Sequence, residues 1–174
     1  KVIANAPAPD QLAQKFADVM REHYLLHPQP FATETVFSDE KGAKLEFLKR
    51  AKAAGFRVVM VYVAISSARL SAARVNARVL NGGHAVPLDK LPRRYLASME
   101  NARRALRFVE TGFVLDNSFD INTQPFRLMA ITSHGRVTYQ AADLPRYIQP
   151  LLPDEQPLVQ DEDDPTTQPQ PPGT

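Results

Sequence analysis

Apolar and polar residues near the beginning of the chain follow a helical period. From Asp10, the segment DQLAQKFADVMREHYL repeats apolar side chains about one helical turn apart, at Leu12, Phe16, Val19 and Met20. Asp10 is a suitable N-cap, because a carboxylate accepts hydrogen bonds from the first free backbone N–H groups of a helix. The pattern predicts an amphipathic first helix.

A second helix is predicted after a proline-rich break. The break, HPQPFATETVFS, contains a short extended segment, TETVF, which carries Glu34. SDEKGAKLEFLKRAKAAG then follows the helical period, with Ser38 as its cap, Leu45 and Leu48 facing inward, and Gly55 just after its end.

The clearest strand pattern is FRVVMVYVAI, which starts at Phe56. These mostly β-branched or apolar residues predict a strand buried on both faces, as in a parallel sheet. SSARLSAARVNARVLNGG predicts the next helix, entered through Ser66 or Ser67 and closed at Gly82 and Gly83.

The following segments predict a longer helix, a short strand, a hairpin and a short helix. They are LDKLPRRYLASMENARRALRFVE, GFVLDNS, FRLMAITSHGRVTYQ with its turn or strand pairing near Gly135, and DLPRYIQPLL. The apolar stripe of the longer helix consists of Leu91, Tyr95, Met99, Ala102, Leu106 and Val109.

This order of elements predicts an α/β fold, a three-layer sandwich in which helices cover both faces of a mostly parallel sheet. Ligands of such folds bind at the carboxyl ends of the strands. The segments expected at that edge are Glu34 with Thr35, the chain after Ile65, and Asp116, Asn117 and Ser118.

The charge distribution divides the chain in two. Residues 150–174 hold six of the 19 acidic residues, seven of the 15 prolines and no Lys or Arg, which predicts a disordered acidic tail. Residues 1–149 are the predicted single domain, with 21 basic and 13 acidic residues and a net charge of +8. A basic domain suits an anionic ligand such as a nucleotide or a sugar phosphate.

Several classes of site and partner are disfavoured. The chain has no Cys, which excludes disulfides, thiolate zinc sites and cysteine nucleophiles. The histidines lack metal-ligand spacing, and most aromatic residues fall on predicted core positions, so neither a zinc site nor nucleic-acid binding is expected. No apolar run is long enough to span a bilayer and no secretory segment opens the chain, so a cytoplasmic location without membrane contact is expected.

Two arginines, Arg74 and Arg78, lie at positions i and i+4 of the third predicted helix, so both guanidinium groups can reach one ligand. Arginine forks match phosphate oxygens. A second basic pair, Arg93 and Arg94, follows the glycine stop, and together the two helices would form a basic clamp. The alternative is an ordinary solvated helix face.

Other candidates also have two interpretations. Glu34 is placed to accept a hydrogen bond from a substrate hydroxyl or to orient a metal-bound water; the alternative, which the sequence alone favours somewhat, is an ordinary surface acid. His84 could contact phosphate or stabilise its own turn. Asp116, at the end of an apolar strand, could bind a ligand or form an Asx turn.

Taken together, these motifs resemble the zeta-toxin family of P-loop kinases, in particular its branch of predicted ABC-type ATPase or zeta-toxin-domain proteins. The order and spacing agree across residues 31–118, and more loosely on to Tyr147. The matching residues are Phe31, Glu34 and Thr35; AKAAGFRVVMVYV; Arg74-Val75 and Arg78-Val79; Gly82-Gly83-His84-x-Val86-Pro87; Arg94-Tyr95; and Asp116-Asn117-Ser118.

The resemblance implies a nucleoside-monophosphate-kinase-like fold that uses ATP and Mg²⁺ to phosphorylate a hydroxyl of a small molecule such as UDP-N-acetylglucosamine, and an antitoxin protein as partner. By position, Glu34 and Thr35 would contact the acceptor, with Asp116 and Asn117 as further substrate-binding residues. The catalytic cations would be Arg74, Arg78 and Arg94, and the nucleotide contacts would be Arg74, Arg78 and His84.

The chain departs from the family in two places. It contains no G-x-x-x-x-G-K-[ST] segment, which in the family precedes the point where this chain begins, so we expect a fragment of a longer kinase. Relatives carry an aspartate in an N-A-D-like segment where this chain has Asn5-Ala6-Pro7, which leaves Asp10 as the nearest candidate base. The alternatives are an inactive pseudokinase or nucleotide-sugar-binding module, and an interaction protein that acts through its tail.

Overall fold

Four α-helices and a four-stranded sheet form the part of the chain that the computed structural model describes, residues 9–27, 29–83, 87–119 and 126–154. The helices are α1 (Pro9–Leu26), α2 (Ala43–Ala53), α3 (Ala68–Leu80) and α4 (Leu91–Ala105). The strands are β1 (Val59–Ala64), β2 (Thr111–Asp116), β3 (Arg127–Ser133) and β4 (Arg136–Gln140), and single 3₁₀ turns span Leu88–Lys90 and Gln149–Leu151. The fold is mixed α/β, as predicted.

The sheet has the strand order β1-β2-β3-β4, and only the β1–β2 pair is parallel. The prediction of a mostly parallel sheet is therefore wrong for the described strands. The reason is chain length: a parallel connection needs a crossover of about a dozen residues or more. The segment between Asp116 and Arg127 is shorter than that, and β3 and β4 are joined by a tight turn at His134 and Gly135.

Helix α4 packs on one face of this sheet. The Tyr62 hydroxyl of β1 lies 3.3 Å from the Ser98 hydroxyl of α4, and the backbone of Gly112 in β2 packs closely against Leu106. The fully buried core includes Leu106, Val109, Val114, Met129 and Ile148. Helices α2 and α3 contact α4, and α1 is joined to α2 by the ion pair between Asp18 and Lys44.

The opposite face of β1 is exposed. Val59, Val61 and Val63 are 53%, 58% and 42% exposed, which contradicts the prediction of a strand buried on both faces. Its alternate residues Met60 and Tyr62 take the side that packs against the core, and among the described strands β1 lies at one edge of the sheet. A three-layer sandwich is thus not confirmed for the described residues.

The predicted first helix is confirmed, but its apolar stripe faces outward. Leu12, Phe16 and Val19 are all exposed. The other side of α1 contacts the body instead, where Arg21 is buried and the Tyr24 ring stacks on Phe31 at a centroid distance of 5.1 Å. The apolar period predicted the helix correctly without identifying the side that packs.

The segment before α2 differs from its prediction. Residues 29–39 form no strand, and α2 begins at Ala43 after Gly42, whose φ of 74° is left-handed, so Ser38 is not its cap. Asp39 Oδ2 instead accepts the Lys44 N–H at 3.3 Å. The side-chain amide of Asn101 in α4 fixes this segment by donating to the carbonyls of Phe37 (3.0 Å) and Asp39 (2.9 Å).

Other local predictions are confirmed. Ser67 caps α3 by accepting the Leu70 N–H at 3.2 Å, and Gly55 follows α2 with a φ of 87°. The hairpin turns at Gly135, where φ is 77°. The predicted tail beyond residue 154 lies outside the described residues.

Candidate functional site

The carboxyl ends of β1 and β2 form the candidate site. Ala64 and Asp116 are paired in the parallel ladder, and the Asn117 N–H extends it by donating to the Ala64 carbonyl at 2.8 Å. Both strands are mainly apolar, and polar residues cluster where they end: Ser66 and Ser67 after Ile65, and Asp116 with Asn117 and Ser118. This edge therefore concentrates polar groups beside the core, as expected for parallel strands.

A directed chain of hydrogen bonds lies at the end of β2. Asp116, only 1% exposed, accepts both the Ser118 N–H (2.9 Å) and the Ser118 hydroxyl (2.6 Å) on Oδ1. Since Ser118 gives its proton to Asp116, its oxygen accepts from the Tyr147 hydroxyl at 2.8 Å. The chain runs from Tyr147 through Ser118 to Asp116, and it holds the serine oxygen in one orientation.

The tyrosines around this chain are held in their neutral form. Burial raises the pKa of Tyr147, and the neighbouring Asp116 carboxylate raises it further. Burial also raises the pKa of Tyr95, whose hydroxyl donates to the Ile65 carbonyl at 3.2 Å. Tyrosine is ordinarily protonated at neutral pH, and these shifts extend the donor state of both hydroxyls to more alkaline pH.

One acceptor at this edge has no partner among the described residues. Asn117 Oδ1 is buried and makes no hydrogen bond there. A buried amide oxygen normally has a donor, because leaving it unpaired costs about 1–3 kcal/mol. A ligand hydroxyl or a metal-bound water would satisfy it.

Arg74 reaches this edge from α3. The helix begins directly after β1, and its second turn brings Arg74 Nη2 to 3.3 Å from the Phe119 carbonyl. The Arg127 guanidinium lies 5.1 Å from the centre of the Phe119 ring, which brings a second cation to this segment. Arg78, one turn further along α3, is exposed, and its carbonyl accepts the Gly83 N–H at 2.9 Å.

A second group of charges, which we call the basic cleft, lies between the segment before α2 and the start of α4. It has a volume of about 470 Å³. Its lining residues are Ser38, Asp39, Glu40, Lys41, Ala43, Lys90, Arg93 and Arg94. Arg93 forms an ion pair with Glu40. The cleft is positively charged overall, with four basic and two acidic side chains in its lining.

The predicted site residues are thus divided between places. Asp116, Asn117 and Arg74 lie at the carboxyl edge, whereas Arg94 lines the basic cleft. The basic clamp that the sequence predicts from these cations stays a prediction.

The remaining candidates lie elsewhere. Glu34 and Thr35 are exposed in the segment between α1 and α2, where Thr35 Oγ1 accepts the Phe37 N–H at 3.5 Å. Asp10 is in the first turn of α1, but its side chain is outside the described part, and His84 lies outside the described residues altogether.

Two features of the sites were missed by the sequence reasoning. Tyr147 lies 29 positions after Ser118, and no local pattern connects them. Lys41 and Lys90 reach the basic cleft from separate elements. Polar residues at the ends of apolar strands allowed the carboxyl edge to be predicted from the sequence. No comparable sequence pattern predicts the basic cleft.

Within residues 9–27, 29–83, 87–119 and 126–154 there is no group of three or more His, Cys, Asp or Glu side chains that could hold a metal ion. Among these residues, no helix has the length and apolar character required to cross a membrane. Comparisons with protein-family models, curated proteins and solved structures gave no match.

Proposed function

We propose that this chain is the body of an ATP-dependent phosphotransferase of zeta-toxin type, which phosphorylates a hydroxyl of a small molecule such as UDP-N-acetylglucosamine. The observation that carries the proposal is the carboxyl edge of the parallel pair. There Asp116, with its chain through Ser118 to Tyr147, lies where the strand ends, and Arg74 contacts the segment that follows.

The residues at this edge fit ATP with Mg²⁺ in their chemistry. Mg²⁺ is usually held by one or two carboxylates, phosphate oxygens and several waters, so no cage of protein ligands is required. Asp116 and the unpaired Asn117 Oδ1 are suitable partners for such waters. Arg74 and Arg78 are suitable partners for phosphate oxygens. ATP would supply the transferred γ-phosphoryl group.

Each remaining group has a role that its chemistry allows. Phosphoryl transfer depends mainly on positioning and on cations that stabilise the developing charge, and Arg74, Arg78 and Arg94 would provide these cations. The chain from Tyr147 to Asp116 would orient Ser118 toward the acceptor. Asp10 stays the candidate for accepting the proton of the acceptor hydroxyl.

The second candidate function is a nucleotide-sugar-binding module without turnover. It requires only groups that bind, and two are present: the buried Asn117 Oδ1, which has no partner among the described residues, and the positively charged cleft. This module would use the same edge and the basic cleft for the uridine diphosphate.

The test, on the intact protein including the phosphate-binding segment expected upstream, is transfer of radiolabelled γ-phosphate from ATP to UDP-N-acetylglucosamine, together with calorimetric binding of the sugar nucleotide. We expect Arg74→Ala and Arg94→Ala each to lower transfer by about 10²–10³-fold. The matched control is Arg69→Ala, an exposed arginine in the first turn of α3, which should retain full transfer. Binding without transfer would favour the module, and neither binding nor transfer would overturn both proposals.

A further inference from the structure

The outward side of α1 carries a stripe with coiled-coil spacing. Its positions are Leu12, Phe16, Val19, His23 and Leu26, separated alternately by four and three residues. The four apolar members are 59%, 66%, 64% and 76% exposed. This spacing is the a/d repeat by which one helix packs along another.

The opposite side of α1 is already occupied. Arg21 is buried and its Nη1 donates to Thr33 Oγ1 at 3.2 Å, while Asp18 pairs with Lys44 of α2 at 2.8 Å. Leu25 packs against the core. At 3.6 residues per turn, Arg21 and Leu25 project roughly opposite to the stripe. The contacts with the body therefore fix the orientation of α1 and leave the stripe facing solvent.

We propose that this stripe pairs α1 with α1 of a second copy of the chain, in an antiparallel arrangement. In the heptad register, Leu12, Val19 and Leu26 occupy d positions and Phe16 and His23 occupy a positions. An antiparallel pair places Phe16 against Val19 of the second copy. The same register places Leu12 against His23, so every layer combines an a residue with a d residue.

The flanking charges select the antiparallel direction. Lys15 and Glu22 both lie on the g side of the stripe. The antiparallel register brings Lys15 beside Glu22 of the second copy, twice by symmetry. In a parallel pair Lys15 would lie opposite Met20, and Glu22, which pairs with Arg50 of its own chain, would lie opposite His27. Lys15 thus gains a partner only in the antiparallel arrangement.

The size of the interface is modest. The stripe covers two heptads, about 21 Å of helix at 1.5 Å per residue. An isolated helix of this length is marginal in water. Here the body holds α1 in place before association, so less conformational freedom is lost on pairing.

Sedimentation velocity of the full chain over a range of concentrations tests the pairing. We expect a reversible dimer. Its dissociation constant should rise at least ~10-fold in Phe16→Glu, because a charge would be buried in the interface. It should fall in His23→Leu, because position 23 is an a position of the heptad and would then carry an apolar side chain. The matched control is Val61→Glu, a charge on the exposed face of β1, which should leave the dimer unchanged. Since both side chains are exposed, circular dichroism should show an unchanged fold.

The direction of pairing has a separate test. Lys15→Glu should weaken the dimer, and adding Glu22→Lys should restore it. Because Glu22→Lys also removes the ion pair between Glu22 and Arg50, thermal melts measure how much this loss lowers the stability of the fold itself. A monomer at every concentration would overturn the proposal. So would a dimer that Val61→Glu breaks and Phe16→Glu does not, because the sheet face would then be the interface. A dimer insensitive to Lys15→Glu would overturn the antiparallel arrangement.

Discussion

At the scale of single residues, a few buried polar side chains hold segments that have no regular structure. Asn101 connects two carbonyls of the segment before α2 to α4, and Asp116 organises the polar groups after β2. Removing such a side chain costs more than removing an exposed one, because its former hydrogen-bond partner stays in the interior without water to solvate it.

Replacing Asn101 with Ala should lower the free energy of unfolding by about 1–3 kcal/mol, because the carbonyls of Phe37 and Asp39 lose their donor. Urea unfolding measures the change. The control is Asn81→Ala, which removes an exposed amide hydrogen bond to the Ala77 carbonyl at the end of α3. An equal loss in both variants would show that the buried amide has no special role.

The raised pKa of Tyr147 predicts a dependence of stability on alkaline pH. A group whose pKa is higher in the folded state stabilises the fold below its unfolded pKa, about 10 for tyrosine, and loses this contribution as the pH rises further. The free energy of unfolding should therefore fall above about pH 10. In Tyr147→Phe the fall should be shallower, as measured by urea unfolding at several pH values; an identical slope would contradict the prediction.

At the scale of elements, close packing between α4 and the sheet limits what β2 tolerates. A Cβ atom added at Gly112 would lie 2.3 Å from Leu106 Cδ2 and 2.5 Å from Thr132 Oγ1. Leu106 and Thr132 are both fully buried, so neither can move aside easily.

Gly112→Ala should accordingly destabilise the fold by about 1–3 kcal/mol through overpacking, although Ala favours a strand over Gly. Thermal unfolding by calorimetry measures the loss. The double variant Gly112→Ala with Leu106→Ala should be more stable than Leu106→Ala alone. The smaller residue at position 106 makes room for the added methyl group, which fills part of the space that Leu106 leaves. A stability equal to or above that of the original chain in Gly112→Ala would show that α4 is not packed against β2 this closely.

At the scale of the whole molecule, ion pairs connect elements distant in the sequence. Asp18 pairs with Lys44, Glu110 with Lys52, and Asp143 with Arg127. The pKa of Asp18 is lowered by its hydrogen bonds from Lys44 and Arg21. Burial alone would raise the pKa of Glu110, but the hydrogen bonds from Lys52 and the Val58 N–H outweigh burial and lower it.

These lowered pKa values predict acid sensitivity. A carboxyl group with a depressed folded pKa stabilises the fold above its unfolded pKa, about 4, and this contribution is lost as the pH falls through the folded value. The free energy of unfolding should decline below about pH 4. Glu110→Gln should be less stable at neutral pH with a weaker decline in acid, and an unchanged pH profile would contradict this assignment.

The sequence by itself predicted the four α-helices and four strands in their order, the Ser67 cap, the turn at Gly135 and the polar residues Asp116 and Asn117 at the strand end. It also predicted an extended segment, TETVF, which forms no strand, and a last helix, DLPRYIQPLL, where only the 3₁₀ turn Gln149–Leu151 forms. The correctly predicted features depend on local spacing and backbone preference, which neighbouring residues set. Only the tertiary structure decided which faces are buried: α1 turns its apolar stripe outward, β1 exposes its valine face, and Arg94 lies in a cleft with Lys41. Such choices depend on contacts between segments far apart in the chain, and periodicity alone does not contain them.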